Sequence, residues 1–338
     1  MYEHAYHQAD LSKYNILVTG GAGFIGSNLV EYLLRHGAAK VRVLDNLSNG
    51  YIENINGFKS HPAFEFMEAD IRDLHACKKA LEGIHFVFHL AALGSVPRSI
   101  TDPLTSHEVN ITGSLNMLMA AKESSSLIKM VYAASSSTFG DSKELPKVEG
   151  REGKPLSPYA VTKAVNEMYA DVFSKVYGLH TIGLRYFNVF GPRQNPNNPY
   201  AAVIPIFCKC FMEGTPPTIN GDGETSRDFT FVANVIQANL KALDFGLAEK
   251  EGKTNQPPKH EVFNIACNES VTLNQLVEML RSITGKQLMP QYREERAGDV
   301  RHSLAAIEKI RHTLGYEPQI HVAEGLRFTY EWYVQQNA

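Results

Sequence analysis

The run Gly20-Gly21-Ala22-Gly23-Phe24-Ile25-Gly26 sits between an apolar segment, Asn15–Thr19, and an amphipathic stretch, Phe24–His36. Strand, glycines and helix in that order leave few folds open. The glycines permit a tight turn and let backbone approach a pyrophosphate at the helix N-terminus, where unpaired N–H groups and the helix dipole favour an anion. Asp45 closes the next strand-like run, Lys40–Leu44, about 20 residues beyond the last glycine. A carboxylate there accepts hydrogen bonds from a ribose 2′-hydroxyl and repels a 2′-phosphate, which selects NAD over NADP.

Strand-like and helix-like segments then alternate. The strands are Asn15–Thr19, Lys40–Asp45, Ala63–Met67, His85–Leu90, Lys129–Ala134 and His180–Arg185, each short and with little polar alternation. Helical patterns cover Phe24–His36, Leu74–Leu81, Val109–Ser124 and Pro158–Tyr177. Repeated β-α units of this kind predict an α/β fold built on a doubly wound parallel sheet covered on both faces. Past residue 190 the pieces are shorter and mixed, with a loop over Gly191–Pro199, a turn at Gly221-Asp-Gly223, a strand near Val262–Ala266 and a helix over Leu273–Ile283. We expect an N-terminal extension (1–14) and a dinucleotide-binding unit (15–190) that is rejoined by a later stretch at about 230–270. A smaller mixed α/β lobe takes most of 191–338, and the polar, proline-bearing segment 249–260 reads as a surface loop.

Composition excludes several classes of function. The formal charge of −3 and the lack of a basic block argue against nucleic acid as a partner. No apolar run nears the roughly 20 residues of a membrane helix. The N-terminal residues lack the order of a signal peptide. Four cysteines, Cys77, Cys208, Cys210 and Cys267, suggest reduced thiols and a cytoplasmic protein. Cys208 and Cys210 have no second ligand pair, so no metal site is expected.

Two further stretches carry chemistry. In Ser157-Pro158-Tyr159-Ala-Val-Thr-Lys163, Ser157 suits a helix N-cap and Pro158 the first helical position. Tyr159 and Lys163 then share one helical face. A phenol is a poor base at neutral pH, but a nearby cation and the positive end of a helix favour its anion. Ser135, Ser136, Ser137 and Thr138 follow the strand Lys129–Ala134. They fall at the carboxyl edge of the sheet, where ligands of open parallel sheets bind.

These motifs, with Asp45–Gly50, Asp70-Ile-Arg-Asp73, His89-Leu-Ala-Ala92, Arg185-Tyr-Phe-Asn188 and Arg227-Asp-Phe229, occur in the order found in a known family. The chain resembles the extended short-chain dehydrogenases/reductases, in their nucleotide-sugar epimerase branch, over residues 15 to about 333. Ala91–Ser99 and Gly221–Asp228 bring it nearest to the group acting on UDP-N-acetylhexosamines. The resemblance implies a resident NAD. Gly20, Gly23, Phe24 and Ile25 would meet the pyrophosphate; Asp45, Asn46, Asn49 and Gly50 the adenosine ribose; Asp70 and Ile71 the adenine. Leu90, Ala91, Ala92 and Asn110 would line the middle of the cofactor, Lys163 would bind the nicotinamide ribose, and Tyr186 would lie near the ring.

The resemblance also implies the reaction. Tyr159 would take the proton of the sugar 4-hydroxyl, assisted by Ser135 or its neighbours Ser136 and Ser137. C4 would be inverted through a transient 4-keto sugar, the hydride being held on bound NADH. Arg227 and Arg296 would grip the diphosphate as guanidinium forks, and Asn188, Asp299, Val203 and Asn220 would add nucleotide contacts. The family places a bulky tyrosine beside plain hexoses and a small residue beside N-acetylated ones; this chain has Ser303 at that position. Gly94, Ser95, Gln194 and Ala202 complete the implied sugar pocket. The expectation is interconversion of UDP-GlcNAc and UDP-GalNAc in polysaccharide biosynthesis. UDP-N-acetylhexosaminuronic acids and UDP-glucose/galactose are the alternative substrates, with Arg98 or His302 as partners for a uronate. A 4,6-dehydratase would carry an Asp-Glu pair where this chain has Ser136-Ser137, and a non-catalytic NAD-binding scaffold would lack the tyrosine or lysine. Helices Val109–Ser124 and Pro158–Tyr177 resemble the pair that forms a four-helix bundle in the family's homodimers.

Overall fold

Seven parallel strands form one sheet in the order β7-β6-β5-β4-β1-β2-β3. They are β1 (Asn15–Thr19), β2 (Lys40–Asp45), β3 (Phe64–Glu68), β4 (Phe86–His89), β5 (Lys129–Ser135), β6 (Thr181–Tyr186) and β7 (His260–Ile265). The computed structural model describes residues 1–198, 200–247, 260–295 and 301–336. Of the segment expected as a loop, 249–259 lies outside the described residues and His260 opens β7. Strands β4 and β6 are buried along their whole length, as continuous apolar runs covered on both faces must be. Several strand ends differ by one residue from the sequence reading, because ladder register rather than composition sets them.

Helix α1 (Phe24–Arg35) follows the glycines, with Gly23 in extended conformation at its N-cap. Helix α3 (Pro158–Tyr177) begins as its sequence dictates. The Ser157 hydroxyl accepts the Ala160 N–H, Pro158 occupies the first turn, and Gly178 ends the helix at φ +72°. Between them the expected helix over Val109–Ser124 forms, but it opens with a π-helical turn. Short helices over Val96–Thr101 and Pro103–His107 lead into that turn, Glu108–Thr112, which runs on without a break into α2 (Gly113–Glu123). The π-turn carries the buried Asn110. Its amide exchanges hydrogen bonds with the Leu93 backbone and reaches the Thr162 hydroxyl at 3.2 Å. A single-turn π-bulge that aims one side chain is a recurrent feature of functional sites.

Helix α4 (Val232–Asp244) packs on α1, β5 and β6. The sequence conceals it because its polar residues Asn234, Gln237 and Asn239 are buried with partners, so its pattern is not that of a surface helix. Residues 1–14 lie along α1: Tyr6 stacks on Tyr32 at 5.3 Å, the Tyr2 hydroxyl donates to Asn28 at 2.9 Å, and Asp244 accepts the N–H groups of Gln8 and Ala9. The C-terminal residues build three two-stranded ladders. These join Val189–Phe190 to Thr230–Phe231, Ser226–Asp228 to Ser270–Thr272, and Thr218–Asn220 to Gln291–Arg293. No described helix is long and apolar enough to cross a membrane.

Candidate active site

The strand order reverses between β1 and β4, and a cleft opens there at the carboxyl edge. Gly20, at φ +70°, ends β1 so close to β4 that a Cβ on it would lie 2.8 Å from the Ala91 nitrogen. A Cβ on Gly26 would fall 2.1 Å from the Gly20 carbonyl oxygen. Only glycine fits either place, and the bared backbone faces the first turn of α1, where Phe24 and Ile25 sit. Gly20 and Gly23 line the cleft at one end. Asp45, Asn46, Asn49 and Gly50 line it after β2, with Asp70 and Ile71 beside them. Leu90, Ala91 and Ala92 close it along β4.

Asp45 is buried, and burial raises its pKa. It accepts the N–H groups of Ala22 and Leu47, both at 2.9 Å. Asp70 accepts from the Asn46 amide at 2.8 Å and pairs with Arg72, which hold its pKa down at about 2. An anion cradle at a helix N-terminus, with acceptors at the end of the second strand, fits a dinucleotide.

Beyond this cleft lies the serine and tyrosine group. Ser135 ends β5; its hydroxyl accepts from the Ser137 hydroxyl at 2.9 Å and lies beside the Tyr159 phenol, whose anion it favours. Of the three serines, Ser135 is therefore the one nearest in role to the phenol, and Ser137 backs it. The Tyr159 backbone N–H is fixed by the Ser99 hydroxyl at 3.0 Å. Lys163 places its ammonium 5.9 Å from the Tyr159 ring centroid and donates to the Ala133 carbonyl at 2.7 Å.

The electrostatics differ from the sequence expectation of an acidified phenol. Burial raises the Tyr159 pKa, with the Ser135 hydroxyl acting the other way, and burial lowers Lys163 to about 8 against the pull of Glu167. In the protein alone, desolvation outweighs the cation. The Tyr186 hydroxyl is bonded to Asn239 in the core, which fixes the ring at the end of β6.

The implied substrate residues form a second group. Asn188, at φ +36°, donates to the Asp228 carbonyl at 3.0 Å, and Gln194 donates to the Val189 carbonyl at 3.3 Å. Ala202 caps the helix Val203–Glu213, and Asn220 ends its short strand. Arg227 donates to the Ser226 and Arg301 carbonyls, and the Ser303 N–H donates to the Ser226 carbonyl at 3.1 Å. Ser95 caps the helix Val96–Thr101, just after exposed Gly94. Arg296 and Asp299 lie outside the described residues.

Sequence reasoning missed Asp228. Its carboxylate is fully buried and accepts from Cys267 N–H at 3.0 Å and Ala305 N–H at 3.2 Å, and burial raises its pKa to about 6. It ties the arginine strand to two distant loops; only its place within Arg227-Asp-Phe229 could have drawn notice.

A family model described as GDP-mannose 4,6 dehydratase matches residues 17–329. The UDP-glucose 4-epimerase of Mycolicibacterium smegmatis is 34% identical over 319 residues, covering 94% of this chain and 97% of the relative. A UDP-N-acetylglucosamine 4-epimerase from Methanobrevibacter ruminantium, solved with UDP-N-acetylmuramic acid, superposes with TM-score 0.86 at 39% identity, over 96% of this chain and 99% of that one. A UDP-glucuronic acid 4-epimerase from Bacillus cereus, solved with UDP-glucuronic acid and NAD, superposes with TM-score 0.84 at 32% identity, over 95% and 99%. By that family match and by relatives of this identity over nearly the whole chain, this chain belongs to the GDP-mannose 4,6-dehydratase-like family of short-chain dehydrogenases/reductases, among its NAD-dependent UDP-sugar 4-epimerases.

Proposed function

We propose that this protein interconverts UDP-GlcNAc and UDP-GalNAc by inverting C4 of the sugar. The observation that carries the chemistry is the placement of Tyr159 and Lys163 on one face of α3, with the Ser135 hydroxyl at the end of β5 beside the phenol. NAD, held by Gly20, Gly23, Asp45 and their neighbours, supplies a hydride acceptor that gives the hydride back. Tyr159 removes the 4-hydroxyl proton and later returns it, while Ser135 holds the same oxygen. Lys163 supplies positive charge beside the phenol and a donor to the nicotinamide ribose. The sugar must present both faces, so the nucleotide carries the anchoring. Arg227 and Arg296 act on the diphosphate, with Asn188, Asn220, Val203 and Asp299 around the nucleotide.

The N-acetyl preference rests on Ser303, a small side chain on the segment that docks on Ser226. The M. ruminantium relative, solved with a UDP-sugar that carries an N-acetyl group, is in line with this. Against a uronate, both basic candidates are engaged elsewhere. Arg98 donates to Asn49 at 3.2 Å and lies over the Tyr200 ring, and His302 is bonded to the Ser226 hydroxyl at 2.9 Å. Elimination of water lacks its acid pair at Ser136-Ser137.

The working form is a homodimer. Val161, Met168, Val172 and Val176 form an exposed apolar stripe along α3, flanked by Tyr169 and by Leu104 of the neighbouring short helix. Such a stripe on a long helix matches a second copy related by a two-fold axis.

The test is incubation of pure protein with UDP-GlcNAc, UDP-GlcNAcA and UDP-Glc separately, followed by NMR of the sugar nucleotides. Inversion of UDP-GlcNAc is expected to be fastest. Ser303→Tyr should lose the acetylated substrate and spare UDP-galactose; equal loss on both rejects the pocket argument.

A further inference from the structure

A small internal cavity lies beside Lys163. Its walls include His89, Ser114, Met130, Ala133, Lys163 and Asn166. His89 closes β4, Ser114 lies in the first turn of α2, and Lys163 and Asn166 stand three apart on α3. None of these four polar residues is more than 6% exposed. His89 belongs to the His89-Leu-Ala-Ala92 motif, and neither the cofactor cleft nor the proton transfer uses its ring.

The polar groups form a chain. The Ala91 N–H donates to the Thr19 hydroxyl at 3.2 Å, and that hydroxyl is 2.8 Å from His89 Nδ1. His89 Nε2 is 3.0 Å from the Ser114 hydroxyl, to which the Asn166 amide also donates at 3.2 Å. Burial and the Lys163 charge keep the His89 ring neutral, down to a pKa of about 3. Among the described residues the Thr19 hydroxyl has no acceptor other than His89 Nδ1, which assigns its hydrogen there; the ring then carries its proton on Nε2 and donates to Ser114. The Ser114 oxygen then accepts twice and has its own hydrogen left to donate. Asn166 Oδ1 is buried and has no partner among the described residues. Lys163 uses one N–H on the Ala133 carbonyl and has two more. One spare donor on a hydroxyl, one orphan acceptor and one desolvated cation thus line one cavity, along with Tyr132, whose buried hydroxyl also has no partner among the described residues.

We propose that this cavity is a built site for one structural water, which accepts from Ser114 Oγ and Lys163 Nζ and donates to Asn166 Oδ1. A water with three polar partners suits a polar pocket of this kind, and an orphan buried acceptor is otherwise costly. The water gives the buried ammonium a second partner and leaves its third N–H for the ligand side. Through His89 and Thr19 it also ties the lysine to the Ala91 backbone at the cofactor cleft. His89, Ser114 and Asn166 are positioning residues that act on Lys163. That role, unlike the water's presence, rests on the epimerase reading above.

Two measurements test this. A crystal structure at a resolution that resolves ordered water should hold density within hydrogen-bonding distance of Asn166 Oδ1, Ser114 Oγ and Lys163 Nζ. A dry cavity, or an Asn166 amide turned onto protein partners, overturns the proposal whatever the enzyme turns over. Asn166→Leu, similar in size but without the acceptor, should expel the water and so lower kcat about tenfold, Lys163 losing one partner of its ammonium. The UDP-sugar KM should stay within about twofold, and Asn166→Asp, which restores an acceptor, should recover most of the rate. Parental kcat in a folded Asn166→Leu overturns the role. If that variant does not fold, Ser114→Ala, which removes one of the three partners, should give a smaller fall in kcat; an unchanged kcat there counts against the role equally. Failure of every UDP-sugar to react would reject the epimerase reading and leave the density result standing.

Discussion

Asp45 accepts the backbone N–H of Ala22 at 2.9 Å, so the carboxylate that ends β2 also braces the glycine turn that ends β1. A Cβ on Gly50 would lie 2.9 Å from the same oxygen, which crowds the acid from its open side. Shape and charge at this corner are set together.

From this pairing, Asp45→Asn is expected to lose two things at once. Asparagine has one acceptor for the two N–H groups of Ala22 and Leu47, and its amide hydrogens would oppose the other. The buried mismatch should cost about 1–3 kcal/mol, read as a lower denaturation midpoint. The purified variant should also carry less bound NAD. A variant of parental stability with full cofactor content would contradict the double role.

Removing the phenol hydroxyl isolates the proton step. Tyr159→Phe should lower kcat by about 10²–10⁴ with little change in melting temperature, because the Tyr159 backbone stays fixed by Ser99. Steady-state rates by coupled assay check this; undiminished turnover would remove Tyr159 from the reaction.

Buried charge under the catalytic helix makes another target. Arg185 on β6 forks onto Glu167 of α3 at 2.8 and 2.7 Å, and it also pairs with Glu152. Glu167→Ala leaves a guanidinium, 6% exposed, with half its anionic partners. We expect about 3 kcal/mol of destabilisation, the lower end for breaking a buried pair, since Glu152 remains. Urea denaturation gives the number, and a change below about 1 kcal/mol would mean the pair is well hydrated.

Acid should weaken the fold through His89. The unfolded chain protonates its histidines near pH 6.5, whereas folded His89 stays neutral down to about 3. Between those values the unfolded state binds more protons. Stability therefore rises with pH across the window, and is lost as pH falls from 6.5 towards 3, by up to about 1.4 kcal/mol per unit. Asp228, raised to about 6, has the opposite sign between about 4 and 6. The comparison that isolates His89 is His89→Gln against parent over that range; identical pH slopes would show that the ring is not the source.

Charging the apolar stripe should split the dimer. Val172→Glu on α3, a position 49% exposed in the single chain, places a carboxylate near the two-fold axis of the proposed bundle. Light scattering at micromolar concentration should read a dimer for the parent and a monomer for the variant. A parental monomer would end that proposal.

Much of this was legible in the chain. The glycine run, Asp45 and Ser157–Lys163 could be read because each residue type answers a local demand: positive φ, an acceptor at a strand end, an N-cap, a four-residue helical step. The parallel sheet followed from apolar runs without alternation. What escaped has non-local causes. Asn110 is aimed by a π-turn that its own sequence does not announce, and Asp228 owes its place to loops 39 and 77 residues further on. The Tyr159 shift also went astray, because charge spacing can be counted along a helix whereas desolvation depends on everything packed around it.

The pairing of β6 with β7 has a consequence for how the molecule comes to exist. His260–Ile265 seals the free edge of β6 in full register, from Thr181↔His260 to Tyr186↔Ile265. A nascent chain that has emerged only as far as residue 200 thus presents an unpaired strand next to the one bearing Ser135. Such an edge is sticky, and its partner arrives late in translation. The sheet is therefore completed only once residues 260–265 have emerged, and a fragment cut after the first six strands would be expected to aggregate instead of binding its dinucleotide.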